Sequence, residues 1–194
     1  ERFLPAIALL ERYLDVIGIA PGADYRLRQL QAAPTWLPAF SADSTARMQV
    51  LFQRLAGDAG VDTAATMLIE GRPIQTRCHA GAMAWFEFTA LCEGPRSADD
   101  YIAIAHQLHT VFLSDVPVFD GQNDDPARRF IALIDELYDQ GVKLVVSAAA
   151  EPAQLYRGER LAQPFERTAS RLIEMRSDDY LRLSYRGIGK GNQG

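Results

Sequence analysis

Apolar positions set the reading of this chain, and the stretch from His109 to Tyr156 organises the rest. It opens with Val111-Phe112-Leu113, closed by Asp115 and Pro117, and ends with the run Val142 to Val146, closed by Ser147 and three alanines. Short apolar runs bounded in this way predict buried strands. Between them Phe130, Ile131, Leu133, Ile134, Leu137 and Tyr138 recur at three- and four-residue spacing, the stripe of a helix burying one face. Asp124 or Asp125 with Pro126 marks its start, and Gly141 stands where a C-terminal cap belongs. Strand, helix, strand at this spacing predicts a βαβ unit with parallel strands.

Read from its first residue, the chain predicts a helix over 3–14 and a short strand over 16–19, turned by Pro21-Gly22. A polar stretch from Asp24 to Ala33 leads into an exposed connection through Pro34, Trp36, Pro38 and Ser41. A helix capped at Ser44 carries Met48, Leu51, Phe52 and Leu55 and ends at Gly57. Periodicity then changes to strands at Met67 to Ile69, Ile74 to Ala80 and Ala82 to Phe88, the last two joined by a hairpin at Gly81. Leu91 to Pro95 reads as a loop. Ser97 caps a helix with Tyr101, Ile104, Ala105 and Leu108 on one face, and Phe165 to Leu183 reads as a single final helix. The expected division is 1–57, the end of a nucleotide-binding core with a lid-like helical segment; 61–185, an α/β domain; and 186–194, a disordered tail with four glycines. The fold class is α/β: a P-loop-like layered sheet of parallel strands flanked by helices, with a small helical segment near the N-terminus.

Composition changes this picture little. The 194 residues are 48% hydrophobic and 23% charged with net charge −5, ordinary for a globular domain and without support for bulk nucleic-acid binding. Two cysteines, Cys78 and Cys92, lack metal-ligand spacing and fit a reducing compartment. No run approaches the roughly 18 apolar residues of a membrane span. The chain begins Glu1-Arg2-Phe3-Leu4-Pro5 without an initiator Met, as expected of a piece of a longer protein.

Eight clusters, in order, resemble the ZapE-type cell-division ATPases of bacteria and their mitochondrial inner-membrane relatives, a branch of the AAA+ P-loop ATPases. They are Arg2 to Ile7; Asp24-Tyr25-Arg26-Leu27-Arg28; Phe88 with Leu91-Cys92; Arg96-Ser97 with Asp100 to Ala103; Phe112 with Asp115-Val116-Pro117; Ala127 to Leu133; Val142 to Ala148; and Ser170-Arg171-Leu172 with Glu174-Met175. The resemblance implies ATP and Mg²⁺ as cofactors of the intact protein, a tubulin-like GTPase of the division ring as partner, assembly into homo-oligomers, and a cytoplasmic location at the inner face of the membrane. It also implies that this stretch is the C-terminal half. The phosphate-binding loop, the acidic Walker B strand and the polar sensor strand precede Arg2-Phe3-Leu4-Pro5 in that family, so this half binds no nucleotide alone and is inactive alone. Gly187-Ile188-Gly189-Lys190-Gly191 fails as a P-loop, because Ser184 stands where a glycine is required and Gly191 where a Ser or Thr is required.

Within the resemblance Arg2 is the candidate arginine finger, reaching phosphates held by a neighbouring subunit. Arg171, with Arg167 one turn earlier, is the candidate sensor pair, the plainer reading being salt bridges to Glu174 or Glu166. Residues 109–175 also read as a degenerate copy of the missing half, with Asp115 in the Walker B place and Ser147 in the sensor place. Val116 stands where the water-activating carboxylate belongs, so this copy is expected to be structural. His106 and His109 complete no metal set, and no Gly-x-Ser-x-Gly elbow makes a hydrolase of Ser147, His109 and Asp115. The alternative function is a non-enzymatic interaction module docking a partner through Trp85, Phe86, Glu87 and Phe88.

Overall fold

The computed structural model describes residues 23–122 and 124–187. The expected helix over 3–14, the strand over 16–19, Arg2 and most of the glycine-rich tail lie outside the described residues. In chain order the elements are α1 (Ala23–Ala32), β1 (Trp36–Pro38), α2 (Ala42–Ala56), β2 (Asp62–Thr63), β3 (Thr66–Ile69), β4 (Arg72–Gln75), β5 (Cys78–Ala80), β6 (Met83–Glu87), a π-helical turn (Thr89–Glu93), α3 (Ala98–Gln107) and β7 (Thr110–Val116). There follow α4 (Asp124–Asp139), β8 (Lys143–Ala148), a 3-10 turn (Pro152–Gln154), α5 (Ala162–Glu174) and α6 (Asp178–Arg182).

Six strands form one sheet in the order β1-β8-β7-β6-β5-β2, and β3-β4 is a separate hairpin. Strands β1, β8, β7 and β6 run parallel, with Trp36 opposite Val146, Val111 opposite Leu144 and Trp85 opposite Phe112. The expected parallel βαβ unit is thus the centre of the sheet. Its strands are buried on both faces, and the alternation of side chains sorts them into two cores. Ala84, Phe86, Val111, Leu113, Leu144 and Val146 point to the layer of α3, α4 and α5. Met83, Trp85, Phe112 and Val145 point the other way, onto Met48, Leu51, Phe52 and Leu55 of α2. In the first core Phe130 is ringed by Phe88, Phe119 and Phe165 at centroid distances of 6.2, 5.6 and 6.2 Å.

Several expectations change. The polar stretch from Asp24 to Ala33 is mostly helix α1, whose weak apolar face, Leu27 and Leu30, is enough to seat it on the second core. The connection through Trp36 and Pro38 contains β1, a sheet-edge strand in which proline is tolerated because its outer side needs no ladder bond. The cap of α2 is Ser41, whose side chain accepts from the Ser44 N–H, rather than Ser44. The run from Ile74 to Ala80 breaks into β4 and β5, which belong to different sheets. Leu91 and Cys92 lie in a π-helical turn instead of a loop, and the terminal helix divides at Met175 to Ser177, where Ser177 caps α6. Residues on both sides of Gly57 to Gly60 build the one large sheet.

The family-like clusters are largely the struts of this architecture. Asp100 Oδ2 accepts from the Ser97 N–H at 2.7 Å in a capping box and from Arg72 at 2.6 Å, tying the β3-β4 hairpin to the start of α3. Carbonyls of the π-helical turn are met by side chains: Arg96 donates to Ala90, Tyr101 to Leu91 and Arg129 to Cys92. At the end of α4 Gly141 has φ +70, and a Cβ there would stand 3.0 Å from the Ser184 carbonyl, so only glycine lets the tail pass.

Arg26, on α1, places Nη1 3.1 Å from Nε2 of His109, whose Nδ1 lies 2.8 Å from Thr110 Oγ1. Burial first, and then the Arg26 cation, pull the His109 pKa down to about 4. Folding therefore favours the neutral imidazole. The stability this gives is intact above the unfolded value near 6.5 and is lost as pH falls toward 4. Melting temperature should drop more between pH 7 and pH 4.5 in the wild type than in His109→Gln; equal drops would remove His109 from the account.

Candidate functional site at the carboxyl ends of the parallel strands

In open α/β sheets the place where chemistry collects is the crevice beyond the carboxyl ends of the strands, where the connections depart to opposite faces. Here that place lies among β1, β8 and β7. The chain leaves β1 into α2 on one face and leaves β8 toward α5 on the other.

Three residues meet there. Asp115 is the penultimate residue of β7, with φ +63, at an irregularity in the pairing between Leu113 and Val116. Its N–H donates to Ser147 Oγ at 2.9 Å, and Ser147 Oγ approaches Asp115 Oδ1 at 3.5 Å. The same Oδ1 accepts from the Phe40 N–H at 2.7 Å. Phe40 belongs to the turn Ala39-Phe40-Ser41 that joins β1 to α2 and is also left-handed, with φ +54. Each such conformation costs a non-glycine residue roughly 1–2 kcal/mol, and the mutual hydrogen bond is what holds the two together. Ala39 N–H to Ala148 O and Ala149 N–H to Val116 O, at 2.9 and 2.8 Å, close the rest of the crevice floor.

The sequence placed Asp115 and Ser147 at the ends of adjacent strands, and the structure brings them into contact. Phe40 was missed: a strained turn carries no periodic signal, and β1 before it is three residues long. A phosphate-binding loop presents several backbone N–H groups to an anion at a helix start. In this chain the turn before α2 is short, the Phe40 N–H is directed at the chain's own carboxylate, and Ser41 caps the first turn. Among the described residues no group of His, Cys, Asp or Glu could hold a metal ion.

The arginines stand elsewhere. Arg171 forms ion pairs with Asp135 and Asp139 and lies 5.0 Å over the Tyr138 ring, so its partners are on α4 rather than Glu174 or Glu166. Those carboxylates occupy the second half of α4, whereas the polar partners of Asp115 are Ser147 and the Phe40 turn. Arg167 is exposed on α5, and Arg2 lies outside the described residues. Trp85, Phe86 and Phe88 are almost fully buried in the two cores, which overturns the expected docking face on β6. A buried ring offers a partner nothing.

A parallel-centred sheet between helical layers, with an aspartate and a serine on neighbouring strands at its switch point, defines a layered α/β protein of P-loop-like topology. The AFG1-like ATPase family matches residues 1–184, and the chain belongs to that family. Cell division protein ZapE of Escherichia coli (strain K12) is 43% identical over 184 residues, covering 95% of this chain and 49% of that protein. An uncharacterized protein of Schizosaccharomyces pombe is 34% identical over 157 residues, 80% of this chain and 35% of that one. Lactation elevated protein 1 homolog B of Danio rerio is 28% identical over 212 residues, 92% of this chain and 42% of that one. The chain thus spans half or less of the length of these curated relatives. No solved structure matches it.

Proposed function

We propose that this chain is the C-terminal part of a ZapE-like ATPase that couples ATP binding and hydrolysis to cell division by acting on the division ring, and that it is inactive on its own. The identity to a cell division protein over nearly the whole of this chain, but only half of that protein, supports the first part. The observation that carries the second is the Phe40 N–H bonded to Asp115: the place a nucleotide phosphate would need is taken by the chain's own carboxylate.

ATP and Mg²⁺ belong, in this reading, to the remainder of the intact protein. Arg2 acts from this part as the finger on a neighbouring subunit's nucleotide. Arg171, with Arg167 one turn earlier on α5, is the sensor pair of this reading; in this part of the protein Arg171 is held by Asp135 and Asp139 of α4 and Arg167 is exposed. The division-ring partner is a tubulin-like GTPase, met in the cytoplasm at the inner face of the membrane. Among the described residues no helix is long and apolar enough to cross a membrane.

The test compares the intact protein with residues 1–194 in Mg²⁺-dependent ATP turnover and in calorimetric titration with ATP. Turnover by the intact protein, with neither heat of binding nor turnover from the 194 residues, is the expected result. Nucleotide binding by the 194 residues that disappears in Asp115→Ala would make the crevice a working site and overturn the reading.

A further inference from the structure

Helix α6 is five residues long, too short to persist without help, and it stands where the two cores come together. Tyr180 belongs to the first core, its ring stacked on Tyr138 at 5.4 Å. The next residue, Leu181, belongs to the second, with Leu27 and Leu30 of α1. Asp178 Oδ1 adds a polar tie to α1, accepting from Gln31 Nε2 at 3.1 Å.

Lys143, the first residue of β8, closes the end of α6. Its Nζ donates to the Tyr180 and Leu183 carbonyls, each at 2.8 Å, and lies 4.8 Å over the Tyr180 ring. A cation at the carboxyl end of a helix satisfies carbonyls that have no helical partner. Lys143 is one of two lysines in the sequence, and an ammonium suits the position: its donors can turn to two separate carbonyls, where the flat fork of an arginine is shaped for a carboxylate.

Beyond α6 the chain returns to the same neighbourhood. The Arg186 N–H donates to the Gln140 carbonyl at 2.9 Å, and the Tyr185 hydroxyl donates to the Ala105 carbonyl at 2.9 Å. The Tyr185 ring meets His109 edge-on at 6.4 Å, and the other side of that imidazole is met by Arg26 of α1. Helix α1 and residues 178–186 therefore share two junctions, Leu181 with Leu27 and Leu30, and His109 between Tyr185 and Arg26.

We infer that α1 and residues 178–186 form one cooperative unit that opens as a whole ahead of the sheet, with Lys143 setting how readily it does so. The unit rests on a weak apolar face and a single turn of helix, whereas the central strands are buried on both faces, so their opening free energies belong at opposite ends of the range within one domain. Opening would uncover the amino ends of β7 and β8, where His109 and Lys143 stand.

Amide hydrogen exchange of the intact protein, read peptide by peptide in a mass spectrometer, tests it. Residues 23–32 and 178–186 should share one level of protection, below that of β7. Lys143→Met keeps the length of the stem and removes its donors; it should speed exchange at least about tenfold in both segments, the loss of two bonds from a charged donor, and leave β7 unchanged. Tyr185→Leu, which acts at the other junction, should give the same pattern. Faster exchange in 178–186 with α1 unmoved would show two independent elements. Equal acceleration in β7 would make Lys143 a general support of the fold. Either result, or no change in Lys143→Met, would overturn the inference.

Discussion

Replacing Phe130 by Ala should cost about 3–5 kcal/mol of folding stability, a large part of the 5–15 kcal/mol typical of a whole domain. Phe130 has no exposed surface, and it is the ring that Phe88, Phe119 and Phe165 all touch, so its removal leaves a void bounded by three rigid groups. These neighbours come from the end of β6, the loop after β7 and the start of α5. None can move inward without dragging backbone, so collapse recovers little. Urea unfolding followed by far-ultraviolet dichroism measures it; Phe130→Leu should recover more than half of the loss, and a cost below about 1 kcal/mol for the alanine would show that the cluster relaxes.

In the intact protein, Arg2→Ala should lower the rate of ATP turnover at saturating nucleotide by at least about a hundredfold while leaving ATP affinity within a few-fold. A guanidinium supplied across a subunit boundary acts on charge that develops in the transition state, and such groups contribute on the order of 10³–10⁵ in rate. A role in trans has a further signature. Subunits carrying Arg2→Ala, mixed with subunits whose P-loop lysine has been replaced, should regain part of the activity, since each supplies what the other lacks. If turnover is unchanged in Arg2→Ala, the finger lies elsewhere.

The central βαβ unit could be read from the chain because its signals are long and redundant: two apolar runs, a stripe of six positions and a glycine where the helix must end. What escaped is short or held from a distance. Strand β1 is three residues including a proline, and it becomes a strand only because β8 offers an open edge. Helix α1 has little apolar periodicity and depends on contacts with α2 and α6. The clusters that resemble the family were visible as sequence, but the contacts that explain several of them were not: Arg26 meets His109, Arg129 meets a carbonyl of the π-helical turn, and Arg171 meets α4. At the crevice, Asp115 and Ser147 were legible as strand ends, whereas the bond from Phe40 depends on two strained backbones that no pattern of residue types announces.

The edge position of β1 also orders events during synthesis. Trp36 lies in the first of the described strands to be synthesised, but its neighbour in the sheet, Val146, lies in the last of them. Until then Leu37 lacks its native cover on that side, and a nascent chain halted before β8 would expose an unfinished, sticky margin to chaperones and proteases.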